Sequence, residues 1–386
     1  MQIFKKPNFK FMKYKYIAFS MSGILGLIGI INITSGKGLN PGIDFAGGSL
    51  IRIVFRDPTP ISQIRQSLAE VGLGKSRIQE VEKTEREYII RSLVVTEEEG
   101  EELGIEAHEV IGNRVIDALR GTKDKPSLER GLKDLNSIGK ATLTLTLEQS
   151  FPEQASEIAT TIIDFRVAEG IIKDLAELQQ ATGISLEAVD FLKGQTFLGQ
   201  LTVLSRETVG PQVGHDLRRK ATQATVWALI GLLIYIGIRF KFAYGVSAMI
   251  TLAHDVLITL GIFSLTNREI NLPVIAAILT IVGYSLNDTI VIFDRIRDNL
   301  RIMRRHDFED ILDSSINQTL SRTVITSSTT FLTVFALFLF GGEVINDFAF
   351  TLIIGVLVGT YSSIYQSCPL LYFWNKIFKP KKGMGK

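Results

Sequence analysis

Six stretches of this sequence stay apolar long enough to cross a bilayer. A spanning helix needs about 20 mostly apolar residues, because the hydrocarbon core is ~30 Å thick and each residue rises ~1.5 Å. Residues 16–33, 223–238, 242–265, 272–293, 323–340 and 348–374 have that character. Between the first and second stretches the pattern changes. From 34 to 222 apolar positions recur at strand or helix spacing among ordinary polar residues, which predicts a soluble domain hung between two spans. The other connections are short, so the last five spans are expected to gather into a bundle.

Within the soluble domain, residues 49–55 alternate, with Ile51, Ile53 and Phe55 on one side of a strand. Residues 60–71 read as a helix through Ile61, Ile64, Leu68 and Val71. Two strands follow at 77–82 and 87–95, then a helix at 104–120 and a last strand at 201–205. The order β-α-β-β-α-β is that of a ferredoxin-like unit. Residues 123–199 do not fit it. Leu132, Leu135, Ile158, Ile162, Ile163, Leu175 and Leu178 fall at helical spacing, so this stretch is read as a helical insertion before the last strand. The expected fold class is a polytopic α-helical membrane protein whose six-span bundle carries an α+β outer domain.

Composition agrees with a mixed chain. A hydrophobic share of 46% is high for a soluble protein of 386 residues, while a charged share of 21% is too much for spans alone. The net charge of +2 makes no case for nucleic acid. A single cysteine, Cys368, excludes an internal disulfide and any cysteine-based metal site. The aqueous segments contain no His, Cys and carboxylate cluster, no Gly-rich phosphate loop and no nucleophile elbow, so no enzyme and no cofactor is expected.

The position of the charges is more informative than their sum. Basic residues collect before span one (Lys5, Lys6, Lys10, Lys13, Lys15), after span two (Arg239, Lys241), after span four (from Arg295 to Arg305) and after span six (Lys376 to Lys382). The opposite loops carry only Arg268. By the positive-inside rule both termini are cytoplasmic and the soluble domain is external, as for a bacterial inner membrane with a periplasmic domain. The first apolar run exceeds a signal-peptide core and lacks a small-residue cleavage site, so it reads as an uncleaved span. Residues 306–320 read as an amphipathic helix lying on the cytoplasmic face.

Ionisable residues inside spans cost roughly 2.5–3.5 kcal/mol each on insertion scales and call for a reason. Asp288, beside Tyr284, Ser285 and Asn287, falls in the cytoplasmic half of span four, and Arg322 opens span five at a similar depth. Burial disfavours a charged carboxyl and a nearby arginine favours it, so such a pair can take up and release a proton as it opens and closes. Interfacial snorkelling is the plainer alternative. His254 and Asp255 lie about two-thirds of the way along span three, where a proton relay and a structural hydrogen bond are both open readings.

Several stretches together resemble the SecF family. They are Gly42-Ile43-Asp44-Phe45-Ala46-Gly47-Gly48, Val209-Gly210-Pro211-Gln212-Val213-Gly214, Ala253-His254-Asp255, the run from Gly283-Tyr284-Ser285-Leu286-Asn287-Asp288 to Asn299, Gln318-Thr319-Leu320-Ser321-Arg322-Thr323 and Phe340-Gly341-Gly342. The resemblance implies an RND-type bundle and a SecD partner. It also implies work beside the SecYEG channel, with YajC and YidC as further partners, on a translocating polypeptide late in its passage. The driving force it implies is the proton-motive force, with protons as the coupling ion. The family's intramembrane carboxylate and arginine fall on Asp288 and Arg322, and a further proton-site carboxylate would come from the partner. The 123–199 insertion departs from the shorter outer domain usual in the family. Two other readings share the six spans: half of a small-molecule exporter, and a scaffold that transports nothing.

Overall fold

The computed structural model describes residues 7–35, 38–81, 85–93, 107–120 and 124–378. The ends of the expected 87–95 strand and 104–120 helix, with Lys5, Lys6 and the lysines from Lys379 onward, lie outside the described residues. The chain divides into two units, residues 43–217 and residues 1–42 with 218–386.

In the 43–217 unit a four-stranded antiparallel sheet forms from β1 (Gly48–Phe55), β2 (Arg77–Glu80), β3 (Glu87–Leu93) and β4 (Leu201–Val209), in the order β2-β3-β1-β4. Helices α1 (Ile61–Glu70) and α2 (Ala107–Leu119) complete the expected ferredoxin-like order. The alternation of β1 places Ile51 and Ile53 at 0% exposure, opposite Ile90 and Tyr88 of β3. Ile64 and Leu68 of α1 and Val115 and Leu119 of α2 close over that face. Each such side chain contributes about 1.5–3 kcal/mol when fully buried. Strand β4 runs to Val209, four residues beyond the pattern's limit, because Ser49 to Arg52 of β1 pair with residues up to Thr208.

The segment between α2 and β4 has a core of its own. Helices α3 (Lys140–Leu147), α4 (Ala155–Glu169), α5 (Leu175–Thr182) and α6 (Leu186–Gln195) bury Leu143, Leu147, Ile162, Leu178 and Leu192 together, apart from the sheet's core. Its entry and exit are joined in parallel, Lys133 with Thr196 and Asp134 with Phe197. A buried polar knot holds this neck. Asp134 Oδ1 accepts from the Asn136 and Gly199 amides, both at 2.9 Å. Asn136 Nδ2 donates to the Ile172 and Gly199 carbonyls at 3.0 and 3.1 Å. Arg166 donates to the Leu135 and Ile138 carbonyls at 3.0 and 2.9 Å. Burial pulls the Arg166 pKa below the ordinary arginine value, and Asp134 pulls it back up.

Among the described residues, six helical stretches are long and apolar enough to cross a membrane: Phe11–Thr34, Gln212–Arg239, Phe242–Leu265, Leu272–Ile302, Phe308–Phe340 and Ile345–Phe378. They are numbered one to six below. The boundary of the unit differs from the 34 and 222 read from composition. Residues 40–42 belong with the bundle, because Asn40 and Pro41 pair in parallel with Glu269 and Ile270, and the Gly42 amide donates to the Ile270 carbonyl at 2.8 Å.

Two further corrections concern helices. Residues 306–320 do not form a separate surface helix. Phe308–Phe340 is one continuous helix, and its first turns bury Ile311, Leu312 and Ile316 in the bundle core. The N-terminal segment seals them: Phe9 exchanges two backbone hydrogen bonds with the Asn317 amide, and the Met12 amide donates to Asp313 at 2.8 Å. The apolar stripe that suggested a lipid surface is covered by protein. Span six is also not one helix. Gly342–Tyr365 stops at Gln366 and Ser367–Phe378 resumes, because Pro369 has no amide hydrogen for the Tyr365 carbonyl and its ring crowds it.

Candidate functional site

The third, fourth and sixth helices meet around a buried acid. Asp255 on helix three is 1% exposed. Its Oδ2 accepts from the hydroxyl of Ser285 on helix four and from Ser362 Oγ on helix six, the latter at 2.7 Å. Its Oδ1 lies 2.9 Å from His254 Nδ1. Close approach makes these bonds possible. Gly359 sits one turn before Ser362, and a Cβ there would stand 3.1 Å from that of Ser285. The carboxylate therefore ties three helices through hydroxyls that come from 30 and 107 residues away in sequence.

Asp288 follows Ser285 by one turn of helix four, about 4.5 Å along the axis. It is 4% exposed, and its Oδ2 is buried without a hydrogen-bond partner among the described residues. Arg322 on helix five is the cation that acts on it, and the Ser327 hydroxyl is its side-chain neighbour. Among the described residues no ion pair joins Asp288 to Arg322, whose side chain is exposed. Ser327 in turn accepts from Thr360 of helix six at 2.7 Å. The two acids thus differ. Asp255 is saturated with hydrogen bonds, whereas Asp288 is buried with an oxygen to spare and a counter-charge held off.

The rest of the span-four motif is divided by face. Gly283 and Asn287 are exposed, and the Tyr284 hydroxyl is buried with no partner among the described residues. Further along the same run, Asp294 takes a two-pronged contact from Arg239 at 2.7 and 2.9 Å and a second cation, Arg297, at 3.2 Å. That network joins helices two and four, a role the basic clustering alone did not reveal.

Two glycine-rich motifs, far apart in sequence, come together. Gly47 and Gly48 adopt φ of +73° and +141°, which only glycine takes readily. Gly48 pairs with Val209 at the end of β4, and a Cβ on Gly214 would lie 3.2 Å from the Gly47 amide. Asp44 stands in the single helical turn Ile43–Ala46 between them. Gly210 precedes Pro211, which opens the long helix Pro211–Arg239 at the position where its fixed φ and missing amide hydrogen cost least. Gly42 is held against the Ile270 carbonyl, where a Cβ would approach to 3.1 Å. Among the described residues there is no group of His, Cys and carboxylates that could hold a metal ion.

Comparison with known proteins places these motifs. A family model described as "Protein export membrane protein SecD/SecF, C-terminal" matches residues 192–377, and one described as "SecD/SecF GG Motif" matches residues 33–59. A protein named "Protein translocase subunit SecF" from Koribacter versatilis is 37% identical, with the match covering 96% of this chain and 93% of that one. A protein of the same name from Desulfurispirillum indicum is also 37% identical, covering 94% and 91%. Among solved structures, SecDF from Thermus thermophilus, described as a translocon-associated membrane protein, superposes with a TM-score of 0.64 at 31% identity over 96% of this chain. A SecDF structure in a super-membrane-facing form gives 0.55 at 30% identity over 97%. This chain spans 39% and 40% of those two SecDF chains.

Proposed function

The chain belongs to the SecF family of protein-export membrane proteins, and from that premise we propose that it is the smaller half of a proton-driven SecD–SecF assembly in a bacterial inner membrane. In this reading both termini are cytoplasmic and the 43–217 unit is periplasmic. The assembly works beside SecYEG, with YajC and YidC as accessory partners, and promotes the late stage of polypeptide translocation.

The observation that carries the proposal is Asp288: a buried carboxyl one turn from the Asp255 tie, with one oxygen that has no hydrogen-bond partner among the described residues, and within the electrostatic reach of Arg322 on the next helix. A carboxyl in that position prefers to be neutral when the arginine is withdrawn and charged when the arginine closes. Arg322 keeps its charge throughout, so Asp288 is the member that gains and loses the proton. The unshared oxygen also suits a site completed by an acid from the partner. Asp255, by contrast, serves as the fixed point: its serine bonds keep helices three, four and six in register while helix five moves. The exporter and scaffold readings have no comparable observation in their favour.

The test is translocation in inner-membrane vesicles carrying this chain with SecD. A proton gradient is expected to speed completion of a secretory polypeptide with the wild-type chain and to have no effect with Asp288→Asn. An equal response in both would remove Asp288 from the coupling path and leave the scaffold reading ahead.

A further inference from the structure

At the end of the bundle where helix two turns into helix three and helices four and six terminate, a cavity of about 750 Å³ opens. One wall is cationic, formed by Arg239, Lys241, Arg297 and Arg301. The lining also includes aromatic side chains, among them Trp374 and Phe378, whose ring centroids are 4.3 Å apart with the planes tilted by 31°. Internal pairing covers only part of the charge. Asp294 is shared by Arg239 and Arg297, while among the described residues no ion pair includes Lys241 or Arg301. The Nε of Arg297 is buried and has no hydrogen-bond partner among the described residues. The apolar rim continues onto the exterior of the bundle, where Ile238 and Phe242 are 84% and 76% exposed.

We propose that this cavity binds the headgroup of an anionic phospholipid. Its phosphate would sit between Lys241 and Arg301, beside the guanidinium of Arg297, and its acyl chains would leave past Ile238 and Phe378. A cationic pocket between spanning helices beside an aromatic belt is the arrangement that selects such headgroups. A free phosphate ion would use the cations but has no use for the apolar wall and its open path to the bilayer. The site lies away from Asp288, and the inference does not rest on the proton reading.

Trp374 supplies the reporter. The chain has two tryptophans, so Trp227→Phe leaves the cavity residue as the only one. The full-length Trp227→Phe chain is reconstituted in phosphatidylcholine vesicles containing a minor fraction of brominated lipid. Brominated phosphatidylglycerol is expected to quench Trp374 well beyond the same fraction of brominated phosphatidylcholine. Adding Lys241→Gln with Arg301→Gln should lower that preference by roughly an order of magnitude, since each cation near an anionic surface adds several-fold to partitioning. Lys241→Arg should retain it. Equal quenching by the two lipids, in a comparison that needs no cavity variant, overturns the proposal. So does a preference that survives the double substitution in a protein with an unchanged thermal unfolding midpoint. Millimolar inorganic phosphate should leave the excess quenching in place; its loss would reassign the cavity to a free anion and overturn the lipid site.

Discussion

At the scale of single residues, two buried acids in one bundle have opposite surroundings. Asp255 has a partner for each oxygen, while Asp288 has an oxygen with none among the described residues. Their substitutions should therefore separate. Asp255→Ala strips the Ser285 and Ser362 hydroxyls of their shared acceptor. Each buried hydroxyl left unsatisfied costs about 1–3 kcal/mol, so a loss of about 2–6 kcal/mol is expected as a lower thermal unfolding midpoint of the purified protein. Asp288→Asn removes no hydrogen bond of that kind from its Oδ2. Its unfolding midpoint and accumulation should stay near wild type while the gradient response disappears. Arg322→Met, on an exposed side chain, should behave like Asp288→Asn. If Arg322→Met instead depletes the protein, the pair is structural.

At the scale of elements, the helices meet where side chains are absent. Gly29 on helix one and Gly261 on helix three face each other so closely that a Cβ on Gly261 would stand 2.8 Å from the Gly29 Cα. Backbone cannot step aside as a side-chain end can, so Gly261→Val should force helices one and three apart. The Asn32 to Ser264 bond, at 2.8 Å, lies one turn further along and would open with them. A cysteine cross-link placed across that contact should form in the wild-type background and fail with Gly261→Val. In the helical segment of the 43–217 unit, Asn136→Ala removes the bonds to the Ile172 amide and the Ile172 and Gly199 carbonyls. A cost of about 3 kcal/mol is expected. Hydrogen exchange should rise across α3 to α6 while the sheet stays protected, because the two cores are separate.

At the scale of the whole chain, the 123–199 segment behaves as an inserted module. Lys133 and Thr196 are paired neighbours at its neck, and both Leu119 before it and Leu201 after it belong to the sheet's core. Replacing residues 125–198 with a short Gly/Ser linker should leave the sheet folded and all six helices inserted, as read by protease protection in vesicles. Failure of the shortened chain to accumulate would make the module part of the sheet's folding unit. The same 43–217 unit brings the Gly47-Gly48 and Gly210 to Gly214 motifs into contact, so a change at either should be felt at the other.

Much of this was already written in local patterns. The number of spans, the β-α-β-β-α-β order and the inward face of β1 follow from apolar run length and from periods of two and 3.6, which depend only on neighbours in sequence. The choice of Asp288 and Arg322 also came from the sequence, because charge in an apolar run is conspicuous. What surrounds them was not legible there. Whether Asp255 is a relay or a tie depends on serines that reach it only when helices four and six pack on helix three. Whether residues 308–320 lie on a lipid surface or inside a helix bundle depends on the N-terminal segment that covers them. An apolar stripe specifies that something must bury it, and only the tertiary structure decides what does.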